Sequence, residues 1–116
     1  MIPIPLHPKR RRERGFNQAE KIAAFLSSQL YIPLDASSLI RTRHTERHRA
    51  GMDEKDRQQS VAGVFAVIRP RKVAGAAILL VDDVYTTGST LKEATRSLLE
   101  AQAKRVSILT IARVAP

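Results

Sequence analysis

The stretch ILLVDDVYTTGSTL, residues 78–91, decides the fold of this chain. It opens with a continuous apolar run, which is typical of a strand buried on both faces of a parallel sheet. The run stops at Asp82 and Asp83, and a turn around Gly88 then leads into a pattern with helical spacing. Because ligands of open α/β sheets bind at the carboxyl ends of the strands, the two aspartates are candidate functional residues.

The turn after the aspartates has the composition of an anion-binding loop. A glycine turn at the start of a helix presents backbone N–H groups and the positive end of the helix dipole, which together favour phosphate. The candidate phosphate-binding residues are Thr86, Thr87, Gly88, Ser89 and Thr90. A lone Asp-Asp pair is usually only a polar turn, and a lone glycine is often only a helix cap. Their combination instead favours a ligand with a phosphate and vicinal hydroxyls, such as a ribose 5-phosphate, bound directly or through a hydrated Mg²⁺.

The flanking patterns predict an α/β domain in which a buried strand, a helix and a second buried strand form a βαβ unit. Strands are expected at residues 2–6, 37–43, 63–68, 76–82 and 106–114, and helices at 17–30 and 89–104. In the first helix Asn17 is the expected N-cap, and the expected buried residues are Ile22, Phe25, Leu26 and Leu30. In the second helix the expected inward residues are Leu91, Ala94, Leu98 and either Ala101 or Gln102.

Composition restricts the classes of function. The net charge of +9 favours acidic partners, either nucleic acid or phosphorylated small molecules. The lack of cysteine excludes disulfides, thiolate zinc sites and cysteine nucleophiles. No apolar run approaches the roughly 20 residues of a membrane span, and the first residues lack the order of a signal peptide. We therefore expect a cytoplasmic protein without a membrane partner.

Two basic segments, residues 9–14 and 41–49, have more than one interpretation. The first could be a solvated charge run, a nucleic-acid patch or an anion-binding loop. In the first segment, Arg14 and Gly15 lead directly to the expected helix cap, and positive charge at a helix start is unfavourable unless an anion binds there. His44 and His48 have the spacing of a helical metal site, but no carboxylate pair or cysteine completes one. The surrounding residues 42–60 lack periodicity and predict an irregular, flexible loop, often an active-site lid.

The motif in residues 78–90 resembles the phosphoribosyl-pyrophosphate (PRPP) binding motif of type I phosphoribosyltransferases, with four apolar residues, two acids and a Thr-Gly phosphate loop. The segments IPIPLHPKRRRERGFNQAEKIA and RTRHT…R…VAGVFAV resemble the ComF-like members of that family. The resemblance implies one phosphoribosyltransferase domain over residues 1–116, with a mostly parallel central sheet flanked by helices. It also implies that the cysteine-rich zinc segment and most of the hood of ComF-like chains are absent.

The resemblance further implies roles for individual residues. Asp82 and Asp83 would engage the ribose hydroxyls of PRPP and a nearby Mg²⁺, Thr86 to Thr90 would bind the 5-phosphate, and residues 42–60 would form the hood loop. The expected pyrophosphate and loop residues are Lys9, Arg10, Arg14, Gly15, Arg41, Arg43 and Arg57. His48 and Ser60 stand where the family pattern has Gln and Asn. Thr86 replaces a carboxylate of purine-salvage relatives, which disfavours a 6-oxopurine transferase.

Two functions are compatible with this pattern. One is transfer of ribose 5-phosphate from PRPP to an unidentified nitrogen acceptor, with release of pyrophosphate. The other is a non-catalytic accessory role in DNA uptake, in which basic loops bind nucleic acid and the PRPP site is retained as a ligand site. Type I transferases often dimerise, so a homodimer is also compatible with the resemblance.

Overall fold

The computed structural model describes residues 1–6, 12–13, 15–42, 63–85 and 88–113. In chain order, the elements are β1 (Ile2–Pro3), α1 (Gln18–Leu30), β2 (Leu39–Arg41), β3 (Phe65–Val67), α2 (Pro70–Val73), β4 (Ala77–Tyr85), α3 (Ser89–Glu100) and β5 (Arg105–Arg113). β1, β4 and β5 form a parallel sheet in that order, with β4 in the middle. β2 and β3 pair antiparallel in a separate two-stranded sheet. The predicted α/β class with a parallel sheet flanked by helices is confirmed.

β4 is buried on both faces because its alternate side chains enter two apolar clusters. Ile78 and Leu80 belong to the larger cluster, which also contains Leu91, Ala94 and Leu98 of α3. Val81 belongs to the second cluster, together with Met1 at the start of the chain and Ala23 in α1. The helices therefore cover opposite faces of the sheet, and the inward residues predicted for α3 are confirmed.

α1 begins at the predicted cap. The Asn17 side chain accepts from the backbone N–H of Ala19 at 3.0 Å and donates to the Ile4 carbonyl at 3.0 Å, so one buried amide both caps the helix and binds the end of β1. The helix ends at Leu30, where Tyr31 adopts a left-handed conformation with φ of 55°, two residues before Pro33.

Two of the four residues that were predicted to form the buried face of α1 are exposed. Ile22 and Leu26 are partly buried, but Phe25 is 64% exposed and Leu30 is 51% exposed. The buried residues of the helix are Ala19 and Ala23. Small side chains allow a helix to approach a sheet closely, so the alanines rather than the larger residues define the contact face.

Three further differences concern strand ends and a short helix. β4 extends past the aspartates to Tyr85, and the predicted connection at residues 69–75 contains the one-turn helix α2. β5 is an edge strand of the described sheet, and Ile108 and Ile111 are exposed although a buried strand was expected. The predicted loop at 42–60 lies, apart from Thr42, outside the described residues. None of the helices described is both long enough and apolar enough to cross a membrane.

Candidate functional site

Asp82 and Asp83 lie near the carboxyl end of the central strand. Backbone pairing fixes this position on both sides, because the Ile4 N–H donates to the Val81 carbonyl at 2.8 Å and Asp82 is opposite Thr110 of β5. Both aspartates are partly buried. The Asp83 N–H donates to Asp82 Oδ1 at 2.8 Å, which holds the Asp82 carboxyl group against the backbone of its neighbour.

The environment of Asp82 disfavours its charge. Burial is the main cause, and it acts with hydrogen bonding to the neighbouring Asp83 carboxyl to raise the Asp82 pKa to about 7. The guanidinium of Arg41 acts in the opposite direction and favours the carboxylate. The pKa of Asp82, at this edge of the sheet, is therefore close to neutral pH. Its carboxyl group lies next to that of Asp83 and close enough to Arg41 to be influenced by the charge of the guanidinium.

Arg41 is the basic residue that the described structure brings to the aspartates. It ends β2, and its Nε donates to the Pro5 carbonyl at 3.2 Å, just beyond the end of β1. Its guanidinium lies 5.0 Å from the centre of the Phe65 ring. The sequence indicated Arg41 by its charge and the aspartates by their position after a strand. The structure adds that Arg41 is close enough for its charge to influence Asp82.

The start of α3 has the form of an anion cradle. Gly88 is the N-cap with a φ of 80°, and among the described residues no side chain caps this helix. Ser89 is buried and Thr90 is partly buried at the first helical positions. Because the first N–H groups of a helix have no partner within the helix, this end favours an anion. Thr86 and Thr87 of the predicted cradle lie outside the described residues.

The predicted pyrophosphate residues are mostly outside the described ranges as well. These are Lys9, Arg10, Arg14, Arg43 and Arg57. Gly15 is described, with a φ of 79° in an exposed turn before the Asn17 cap. Since Asn17 already accepts from the first amides of α1, an anion near this turn would have to bind the preceding loop rather than the helix end.

Two depressions open near these residues. One, of about 250 Å³, is lined by Pro5, Leu6, Glu20 and Arg41, among others. The second, of about 510 Å³, lies beside Asp83, and most of its remaining lining is apolar. Its lining residues are Phe16, Gln18, Ile22, Asp83, Val84, Ile111 and Ala112. Sequence reasoning missed Phe16 and Ile111, because periodicity alone does not distinguish an apolar residue at a site from one in the core.

The aspartates could hold a magnesium ion only together with oxygens of a ligand. Among the described residues no group of three or more acidic, histidine or cysteine side chains could hold a metal ion. Mg²⁺ is, however, commonly bound through one or two carboxylates together with substrate phosphates rather than in an all-protein cage. A cation there would also offset the unfavourable proximity of the two carboxyl groups.

A parallel sheet with adjacent aspartates near the end of its central strand, followed by a glycine turn that leads into a helix, defines an α/β domain with a candidate site at the carboxyl edge of its sheet. The family described as "Phosphoribosyl transferase domain" matches residues 17–115, which include the central strand, the aspartates, the glycine turn and α3. The chain therefore belongs to the phosphoribosyl transferase domain family, in its ComF-like group. No solved structure matches the chain significantly.

Curated relatives are similar along nearly all of this chain. Competence protein F of Haemophilus influenzae is 35% identical over 114 residues, which cover 97% of this chain and 49% of that protein. Competence protein ComFC of Bacillus subtilis is 35% identical, with coverages of 97% and 44%. DNA utilization protein YhgH of Shigella flexneri is 33% identical, with coverages of 97% and 48%. The chain thus spans about half the length of the curated relatives it matches.

The first prediction concerns Gly88. A Cβ at this position would lie 2.6 Å from the Tyr85 hydroxyl oxygen and 2.9 Å from its ring carbon Cζ. We expect Gly88→Ala to lower the free energy of unfolding by about 2 to 4 kcal/mol, because it combines a left-handed backbone with a steric clash. Gly75→Ala is the matched control, since Gly75 has a similar φ of 74° but open space around it. Equal losses for the two variants in urea denaturation would contradict the close contact with Tyr85.

The second prediction concerns the pH dependence of stability. The folded chain retains the Asp82 proton up to about pH 7, whereas an unfolded chain releases it near pH 4. The stabilisation by protonation is therefore full below about pH 4 and is lost as the pH rises towards 7. Asp82→Asn should remove this loss and be more stable than wild type at pH 8 by up to about 4 kcal/mol.

Urea denaturation of both proteins between pH 4 and 8 measures this difference. The advantage of the Asn variant should shrink as the pH falls. A constant difference across the range would show that Asp82 is charged throughout, and would contradict the prediction.

Proposed function

We propose that this domain binds PRPP with Mg²⁺ and transfers ribose 5-phosphate to a nitrogen acceptor, releasing pyrophosphate. One observation carries the proposal: the adjacent aspartates and the start of α3 after the Gly88 turn occur on one edge of a parallel sheet, only a few residues apart along the chain. A ribose 5-phosphate carries hydroxyls and a phosphate on one small molecule, so two groups of residues that lie close together could bind both parts. Family membership supports the same ligand class.

In this proposal the two ends of the motif bind different parts of the ligand. Asp82 and Asp83 would accept hydrogen bonds from the ribose hydroxyls, and they are the residues that would hold Mg²⁺ together with ligand oxygens. The amides at the start of α3, with the hydroxyls of Thr86, Thr87, Ser89 and Thr90, would bind the 5-phosphate. The metal, when bound, would neutralise part of the charge on pyrophosphate.

The reaction requires that the bond from the anomeric carbon to pyrophosphate breaks while a bond to the acceptor nitrogen forms, and that the acceptor loses a proton. The site residues proposed here include no covalent nucleophile, so positioning and electrostatics would supply the rate. Arg41 carries a fixed positive charge near Asp82, where it would stabilise the charge that develops on the leaving pyrophosphate. The apolar depression beside Asp83 would receive the acceptor.

The third prediction tests ligand binding directly. The double variant Asp82→Asn, Asp83→Asn should lose measurable binding of PRPP·Mg²⁺ in calorimetry, because it removes both the metal ligands and the charged acceptors for ribose hydroxyls. It should remain folded, since Asp82 is already largely desolvated and its charge opposes burial. Glu100→Gln, an exposed carboxylate at the far end of α3, is the control. Unchanged PRPP affinity in the folded double variant would refute the proposal.

A second function, binding of single-stranded nucleic acid by the basic segments, is supported by the charge of +9 and by the names of relatives in competence and DNA utilization.

The fourth prediction is that micromolar binding of a single-stranded oligonucleotide persists at about 0.15 M salt and in the presence of saturating PRPP. The logarithm of affinity should fall with the logarithm of salt by roughly 0.7 per phosphate contact. Binding that disappears above low salt would leave only non-specific charge attraction and reject this function.

A further inference from the structure

Arg41 and Phe65 are directly opposite each other in the β2–β3 pair. Backbone bonds flank them, because the Thr42 N–H donates to the Val64 carbonyl at 2.6 Å and the Ile68 N–H donates to the Ser38 carbonyl at 2.8 Å. Hydrogen-bonded and non-hydrogen-bonded pairs alternate along an antiparallel ladder, and this alternation makes Arg41–Phe65 a non-hydrogen-bonded pair. Side chains of such pairs are the closest in a sheet.

Two contacts in different directions hold the Arg41 side chain. Its Nε donates to the Pro5 carbonyl at 3.2 Å, and its guanidinium carbon lies 5.0 Å from the centre of the Phe65 ring. The ring itself is fixed, because Phe65 is only 6% exposed and belongs to the main apolar cluster. A guanidinium at this distance from an aromatic ring is attracted by the electrons of its face.

Fixing an arginine in this way has a consequence for anion binding. A free arginine side chain loses up to about 2 kcal/mol of rotamer entropy when it is immobilised, and an already ordered side chain avoids most of that loss on binding. Pro5 immediately follows Ile4, whose N–H donates to the Val81 carbonyl, so the anchored guanidinium lies next to the carboxyl end of β4. This is the edge where the proposed ligand would present its pyrophosphate.

We propose that Phe65 is a positioning residue, which holds the Arg41 guanidinium beside the β1 and β4 ends in the orientation that binds the pyrophosphate group of the ligand. This positioning role rests on the proposed PRPP function for the identity of the ligand, whereas the contacts of Arg41 with Pro5 and Phe65 are independent of that function. Phe65 lies outside the PRPP motif, and its sequence context predicts only a strand.

The fifth prediction compares ligands with and without pyrophosphate. Phe65→Leu keeps an apolar side chain but removes the aromatic face. It should weaken binding of PRPP·Mg²⁺ and of pyrophosphate·Mg²⁺ by roughly three- to tenfold. Binding of ribose 5-phosphate, which has no pyrophosphate, should not change. Phe65→Tyr retains the ring and should restore most of the affinity.

Two controls separate positioning from a general loss of structure. Val67→Ala removes a partly buried side chain from the same strand without removing the ring beside Arg41, and it should not change the ratio of PRPP to ribose 5-phosphate affinity. In an Arg41→Gln background, Phe65→Leu should have no further effect on PRPP binding. An equal loss for all three ligands, no loss for PRPP, or the same loss without Arg41 would each overturn the proposal.

A ligand-free measurement keeps this test distinct from that of the proposed function. In nuclear magnetic resonance spectra, the Arg41 Nε–H proton should move downfield in Phe65→Leu relative to wild type, because the upfield ring-current shift is lost while the hydrogen bond to the Pro5 carbonyl remains. If wild type binds no PRPP, the proposed function fails, and the resonance still decides whether Phe65 positions Arg41. An Arg41 Nε–H resonance at the same position in wild type and Phe65→Leu would overturn the positioning role.

Discussion

The rest of the structure depends on the central position of β4. This strand pairs in parallel with β1 on one side and β5 on the other, and its two faces are covered by α1 and α3. A strand held on four sides has little freedom to shift its register, because a slip of one residue would exchange the side chains of the two cores. The same restraint fixes where the strand ends, and therefore where Asp82 and Asp83 lie relative to the end of β1 and the start of α3.

The candidate site contains two features that the rest of the fold must accommodate. Burial of Asp82 disfavours its charge, and a side chain at position 88 would clash with the Tyr85 side chain. Carboxyl groups with shifted pKa values concentrate at functional sites. Here the surrounding support is the double-sided packing of β4 and the buried inward face of α3, so the stable part of the domain supports the unfavourable part.

Local signals were enough to predict the main elements. The apolar run of β4, the Asn17 cap and the spacing of Leu91, Ala94 and Leu98 each depend on neighbouring residues, and each prediction is confirmed. The exposure of Phe25 could not be predicted, because the contact face of α1 depends on how closely two alanines approach the sheet. The pairing of Arg41 with Phe65 was also inaccessible, since more than twenty residues separate them and a short apolar run does not indicate its partner strand.

Opposite charges at this edge of the sheet explain why one ligand class suits the site. The two adjacent carboxyl groups favour a cation, whereas the start of α3 and the guanidinium of Arg41 favour anions. A simple anion would satisfy the second preference and worsen the first, and a metal ion alone would do the reverse. A polyphosphate ligand that carries its own Mg²⁺, as in the proposed function, would suit both: the carboxyl groups would hold the metal, and the start of α3 and the guanidinium would bind phosphate oxygens. The net charge of +9 is then consistent with a ligand that brings more negative charge than its metal ion neutralises.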